Sequence, residues 1–250
     1  MPGGSDIARR RGIRRGAFRA GNGPVSEDVG MNGYVRPAID TPVFRDADGE
    51  VIPYGNRWPG SPPEETYSVD THPERFAPLH AVADALVAYL RETFEIEVED
   101  GSDVAADLIR PSSFAVLRAV RLRPADPRCA SVTFVFDEYP GLSVHSGMLH
   151  DAHYPHCGCD ACDEEWRSAA DELEEQVFAV VAGNFREAIV PGAELPVEHA
   201  FTFPEGGRSG RSGTDGFPPE RVSRAREVLR DVPDGWDPWP RAQESPGGGA

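Results

Sequence analysis

The hydrophobic pattern from residue 71 onward alternates between two periods, and each change of period marks a new element. In "THPERFAPLHAVADALVAYLRETF", Phe76, Leu79, Val82, Ala83, Leu86 and Leu90 recur at helical spacing. Thr71 or His72 is placed to cap that helix, and Pro73 suits its first turn. "FEIEVED" then alternates strictly, with Phe94, Ile96 and Val98 on one side and glutamates on the other, as a half-exposed strand does. Three further strands are expected near 115–123, 130–137 and 141–149, joined by "PADPR" and "EYPG". Links this short connect only antiparallel neighbours, so these strands form a meander. Val132, Phe134 and Phe136 share a face of the middle strand, and Leu142, Val144 and Met148 a face of the next.

A second helix is expected over about 161–189, with Trp166, Ala170, Leu173, Val177, Val180, Val181 and Phe185 as its apolar stripe. The strand "VEHAFTF" follows, then "EGGRSGRSGTDG", read as a flexible loop, and the short helix "PPERVSRAREVLRDV". Trp236 and Trp239 are costly to leave in water and should pack on the core. Before the first helix, residues 32–71 read as extended and turn-rich, with several prolines that forbid helix; a hairpin turn is expected at Asp48-Gly49, with Val51, Ile52, Tyr54 and Trp58 as anchors. This order of elements predicts an α+β fold, an antiparallel meander sheet with helices packed on one face, in a single domain.

Composition narrows the picture. The 250 residues are 39% hydrophobic, enough to fill a core, while many of the 24 prolines and 26 glycines fall towards the two ends. The expected organisation is an arginine-rich tail over 1–30, one domain over 31–240 with Met31 near its natural start, and a tail over 241–250. The net charge is −17, and every basic side chain other than histidine is arginine. Such a body repels a phosphate backbone, so no nucleic-acid partner is expected. The run from Arg9 to Arg19 has no apolar periodicity and reads as solvated. Its arginines are not followed by an apolar stretch of about 7 to 15 residues, and no run of about 18 apolar residues occurs elsewhere. No membrane partner is expected, and the expected location is the cytoplasm.

In a reducing compartment clustered cysteines serve metal or redox chemistry more often than disulfides. Three of the four cysteines lie in "HYPHCGCDACDEEW" (153–166): Cys157, Cys159 and Cys162, spaced C-x-C-x-x-C. Zinc takes four ligands, usually thiolate sulfur and imidazole nitrogen. The fourth would come from His150, His153, His156 or solvent, with His150 preferred for the loop it closes. No distant second pair of ligands completes the motif. Asp160 reads as an N-cap with Asp163 three residues on, which would set Cys162 in the first helical turn and Cys159 beside it and promote thiolates there. Three readings stay open: a zinc knuckle, a reactive thiol pair, and a structural turn with inert thiols. Cys129 reads as an ordinary semi-buried thiol.

Other candidates carry less. Asp171, Glu172, Glu174 and Glu175 fall off the apolar stripe of their helix and read as a solvated face. His145 shares the outward side of its strand with Ser143 and reads as a surface histidine. His80 and His199 read as core-edge residues. The loop at 205–216 has no lysine and no strand-loop-helix context, so it is not a phosphate loop.

Together with "SVDTHPERFAPLH", "TFVFDEYPG" and "WDPWP", the stretch "CGCDACDE" resembles an uncharacterised family of actinobacterial proteins of the domain-of-unknown-function type. The similarity covers about 31–240, and its matching residues are Cys157, Gly158, Cys159, Asp160, Ala161, Cys162, Asp163 and Glu164. The resemblance implies one cysteine motif and no activity. The function expected is that of an acidic module binding a partner protein or small molecule, with the cysteines as a structural or regulatory knuckle. The alternative is an enzyme using zinc or thiolate at that knuckle.

Overall fold

The computed structural model describes residues 33–243. The tail expected over 1–30, Met31 and most of the tail expected over 241–250 lie outside them. The described residues belong to one compact unit with an α+β architecture.

Helix α1 (Pro78–Thr93) buries Leu79, Val82, Ala83, Leu86 and Leu90, the stripe read from the sequence. Its start differs from expectation. Pro73–Phe76 forms a separate 3-10 turn, and neither His72 nor Ala77, at the two starts, makes a side-chain capping bond. Five strands follow as an antiparallel meander in sequence order: β1 (Ile96–Asp100), β2 (Val116–Pro124), β3 (Val132–Asp137), β4 (Leu142–Ser146) and β5 (His150–Tyr154). The expected strand 141–149 therefore ends early. At Gly147 the backbone turns left-handed (φ 66°), which a glycine adopts without strain, and the chain reverses into β5. Met148 falls in that turn rather than on the face of β4.

The registers place Val120, Phe134, Val144 and Ala152 in one row, with Phe136, Leu142 and Tyr154 in the next. These side chains join those of α1 and of α2 (Trp166–Val181) in one core. The opposite face is not open either. Val104 of the 3-10 turn Ser102–Asp107 and the following Leu108 pack on Ala119 and Val135, so every residue of β3 is buried.

Helix α2 is shorter than expected at both ends. It begins at Trp166 and stops before Gly183, which is left-handed (φ 75°) and so close to Pro238 that a Cβ would lie 2.7 Å from its nitrogen. Phe185 consequently belongs to a strand, not to the helix. A second antiparallel sheet, in the order β6 (Phe185–Ile189), β7 (Val197–Phe203), β8 (Gly206–Ser212), adds Phe185, Val197 and Phe201 to the same core. Strand β8 is the glycine-rich segment read as a loop. Its backbone pairs along the whole of β7, a ladder to which side chains contribute little and which hydrophobic periodicity does not reveal. After α3 (Pro219–Val228), Trp236 and Trp239 are buried as expected, and their indole N–H groups donate to Glu187 (3.1 Å) and to the carbonyl of Ala130 (2.8 Å).

The segment before α1 wraps this body as a strap. Its hairpin turn is present, with Arg45 bridging Val51 and Gly49 left-handed. Ile52 is buried, whereas Val51, expected as an anchor, is exposed.

Candidate metal centre

β5 delivers the chain into the cysteine loop at the end of the five-stranded sheet. The Glu164 carboxylate accepts the backbone N–H groups of His156 (2.9 Å) and Cys157 (3.0 Å), which closes the loop on itself. The strap fixes it from outside. Asp160 N–H donates to the carbonyl of Val69 (2.7 Å), Ala161 N–H to that of Thr66 (3.0 Å), and Trp58 Nε1 to that of Asp160 (3.0 Å). Asp163 accepts the N–H of Arg57 (2.7 Å) through its carboxylate and that of Gly55 (3.1 Å) through its carbonyl. Among the described residues, only Ser68 and Asp163 are left-handed without being glycine, and both sit at this contact.

Held this way, the Sγ atoms of Cys157, Cys159 and Cys162 lie within 4.8 Å of one another, with Cys157 donating to Cys159 at 3.3 Å. Three sulfurs bound to one tetrahedral zinc stand about 3.8 Å apart, given Zn–S bonds of about 2.3 Å. The triad therefore fits a single ion with little movement. Cys157 and Cys159 are half-buried and Cys162 is exposed. Burial raises the Cys159 thiol, but hydrogen bonds from Cys157, Cys162 and the Ser68 backbone outweigh it and hold the thiol below its ordinary value. Burial, followed by the two neighbouring sulfurs, pushes Cys162 up to about 12.

The capping geometry expected from the sequence is not formed. The cap of α2 is Glu165, without a side-chain capping bond, so the cysteines lie outside the helix's first turn. Asp160 is buried and turned towards the strap, where it accepts the Thr71 N–H (3.3 Å) and hydroxyl and pairs with Arg57 (3.5 Å).

The histidines lie apart from the three sulfurs. His150 is not in the cysteine group: its Nε2 faces Gln176 (3.4 Å) and its ring lies 4.4 Å from that of His199. Burial, then His199, lowers it to about 3, leaving a neutral imidazole at neutral pH. His156 pairs with Glu172 (2.8 Å). His153 meets the Ser143 hydroxyl through Nδ1 (2.9 Å), and the same hydroxyl donates to Asp137 (3.5 Å); with serine rather than histidine in the middle, the three are not in the order of a catalytic triad. His80 Nε2 meets the carbonyl of Gly141 (2.7 Å). His145 is buried, which corrects the surface reading. The turn carrying Asp107 and the segment after it cover its face of the sheet, and Asp151 holds its Nδ1 at 2.7 Å.

The helix α2 carboxylates are engaged as well: Asp171 and Glu174 bind Arg36, and Glu172 binds Arg208. Cys129 is buried, donates to the carbonyl of Pro238 (3.3 Å), and is raised by that burial to about 11. Two cavities stand out, of about 440 Å³ on the outer face of the second sheet and about 250 Å³ between the strap and the start of α2, and no cysteine lines either.

Sequence reading missed Arg57, Arg75, Asp163 and Glu164 as the residues that build the loop. Arg57 and Asp163 meet each other across 106 positions and Arg75 donates to the carbonyl of Gly158 83 positions away, while Glu164 bonds the backbone of a nearby irregular turn; none of these contacts leaves a periodic pattern. Among the described residues, no helix is long and apolar enough to cross a membrane.

A family model described as a family of unknown function (DUF6226) matches residues 40–243, and the chain belongs to that family. No curated protein and no solved structure matches the chain.

Proposed function

We propose that this member of the family is a binding module for a partner protein or small molecule, in which Cys157, Cys159 and Cys162 hold one zinc ion as a structural knuckle. The observation that carries this reading is the convergence of three sulfurs within 4.8 Å on a loop that the strap has already shaped. Thiolates select zinc among the common divalent ions, and a fourth ligand from solvent or a partner completes the tetrahedron. The ion would tie the loop to the strap, because binding free energy at a site absent from the unfolded chain is folding free energy. An enzymatic centre would need a cleft and a general base beside the sulfurs. His80, His145 and His199 are each engaged elsewhere.

The test is the metal content of protein purified under reducing conditions. Close to one zinc per chain is expected for the wild type and for Cys129→Ser, and none for Cys159→Ser. A metal-free protein whose cysteines react promptly with a thiol reagent would transfer the reading to a reactive thiol; one whose cysteines stay unreactive would leave a structural turn.

A further inference from the structure

The second sheet ends on an open edge. In the order β6-β7-β8, strand β8 pairs with β7 alone, and among the described residues no backbone hydrogen bond joins its outer side to another segment. The opposite edge is covered in part: the Phe185 carbonyl of β6 accepts the Trp236 N–H (3.0 Å). An open edge invites another strand, and proteins blunt such edges with proline, a bulge, brevity or outward charge. β8 runs for seven residues, Gly206–Ser212, without proline and in unbroken register with β7. Its arginines point elsewhere: Arg208 donates back to Gln176 (2.9 Å) and pairs with Glu172 (3.3 Å), and Arg211 pairs with Glu198 of β7 (2.8 Å). Gly206, Gly207 and Ser209 are exposed and leave the backbone bare.

The outer face beside that edge carries the chemistry. Two rows cross the sheet there, Arg186–Ala200–Ser209 and Ala188–Glu198–Arg211, and they line the cavity of about 440 Å³. Ala200 and Ser209 are small, so the floor of the cavity stays open between Arg186 and the edge. Its charged lining residues, Arg186 and Arg211 against Glu198, sum to one positive charge, and Arg186 makes no ion pair among the described residues. The net charge of the chain is −17, but charges beyond about 8 Å are screened at physiological salt, so the local excess decides what docks.

We propose that β8 is a docking edge for an extended, acidic segment of a partner protein, which adds a fourth strand to this sheet. Main-chain hydrogen bonds supply the affinity in this mode, and alternate side chains supply the specificity. An added strand continues both rows. Opposite Arg211 an acid extends the alternation Glu198–Arg211, since opposite charges stabilise cross-strand neighbours. Two residues along, on the same face, a second acid enters the cavity towards Arg186. A second copy of the chain fits less well, because edge-to-edge pairing would set the same cationic face beside itself. The proposal rests on the binding-module reading above, names the surface and the partner class, and does not depend on zinc.

The probe is a fluorescent peptide of alternating valine and glutamate, titrated with the full-length protein. The same peptide with lysine for glutamate should bind at least about tenfold more weakly, and Arg186→Gln should weaken the glutamate peptide about two- to fivefold, as loss of a rim charge does. A glutamate peptide N-methylated at every residue cannot donate to the edge and should lose more than about 30-fold, the worth of two to three hydrogen bonds. Hydrogen exchange with the unmodified peptide bound should show new protection in Gly206–Ser212 and none in α2. Equal binding of the glutamate and lysine peptides, or of wild type and Arg186→Gln, would overturn the acidic assignment, and equal binding of the N-methylated peptide would overturn strand addition. No binding of the glutamate peptide up to about 1 mM would overturn the proposal and leave the binding reading to another surface. Self-association that protects β8 without peptide would assign the edge to a second copy and overturn it as well. The zinc content of the same preparations reports separately on the knuckle.

Discussion

From Val116 to Tyr154 the chain is held by side chains that water rejects; from Pro155 to Glu165 it is held almost entirely by hydrogen bonds and charge. The first stretch buries Val120, Leu122, Val132, Phe134, Phe136, Leu142, Val144 and Tyr154. In the second only Pro155, Asp160 and Ala161 are buried, and none brings a large apolar side chain. Apolar burial contributes about 1.5–3 kcal/mol per large side chain, so the sheet needs no further support. A typical hydrogen bond contributes only about 1 kcal/mol net, and the knuckle and strap must organise many residues on that basis. The comparison teaches where the proposed zinc would matter in this molecule: in the loop rather than in the body.

The comparison can be broken most forcefully in the sheet. Phe134 is fully buried, in register with Val120 and Val144, so Phe134→Ala should cost about 3–5 kcal/mol in chemical denaturation. It should do so equally with and without zinc. Next in size is the metal. With free zinc a thousandfold above its dissociation constant, binding adds about 4 kcal/mol, so a chelator should lower the melting temperature of wild type and leave Cys159→Ser unmoved.

A third effect lies between the two sheets. Glu187 is fully buried, accepts the N–H groups of Met148 (2.9 Å) and Leu149 (2.7 Å) and that of the Trp236 indole, and is pushed by burial from 4.5 up to about 7. Because its folded value is the higher one, its contribution to stability is complete below pH 4.5 and is lost as pH rises towards 7. The slope is at most about 1.4 kcal/mol per pH unit. Glu187→Gln should flatten that slope; a slope unchanged by the substitution would show that another group titrates there. The smallest effect is expected at the ends: a chain of residues 31–243, which keeps the bond from Ala242 N–H to the Thr93 carbonyl, should melt within a few degrees of the full chain.

What was legible in the sequence follows the same division. Leu79, Val82, Leu86 and Leu90 announce α1, and Val132, Phe134 and Phe136 announce β3, because burial leaves a period in the chain. The meander followed from link lengths alone. β8 was illegible because a glycine-rich strand is specified by its partner's backbone rather than by its own side chains. β5 was hidden inside "GMLHDAHY", where a left-handed glycine ends one strand three positions before the next begins. His145 read as exposed because nothing in strand alternation tells that Val104 and Leu108 return to cover the second face. At the knuckle, the three cysteines were legible by spacing. The strap that shapes them, and Arg75 behind them, were not, since contacts between residues more than 80 positions apart are settled only by the completed fold.

Segment-resolved hydrogen exchange, run on the wild type with zinc and again after chelation, tests the contrast most directly. Loss of metal should speed exchange at the amides that join loop and strap, Gly55, Arg57, Thr71, Asp160 and Ala161, while the strands from Val116 to Tyr154 keep their protection. Unchanged exchange at the strap amides, or deprotection that spreads evenly through the sheet, would contradict the account of a metal knuckle that stabilises its own loop.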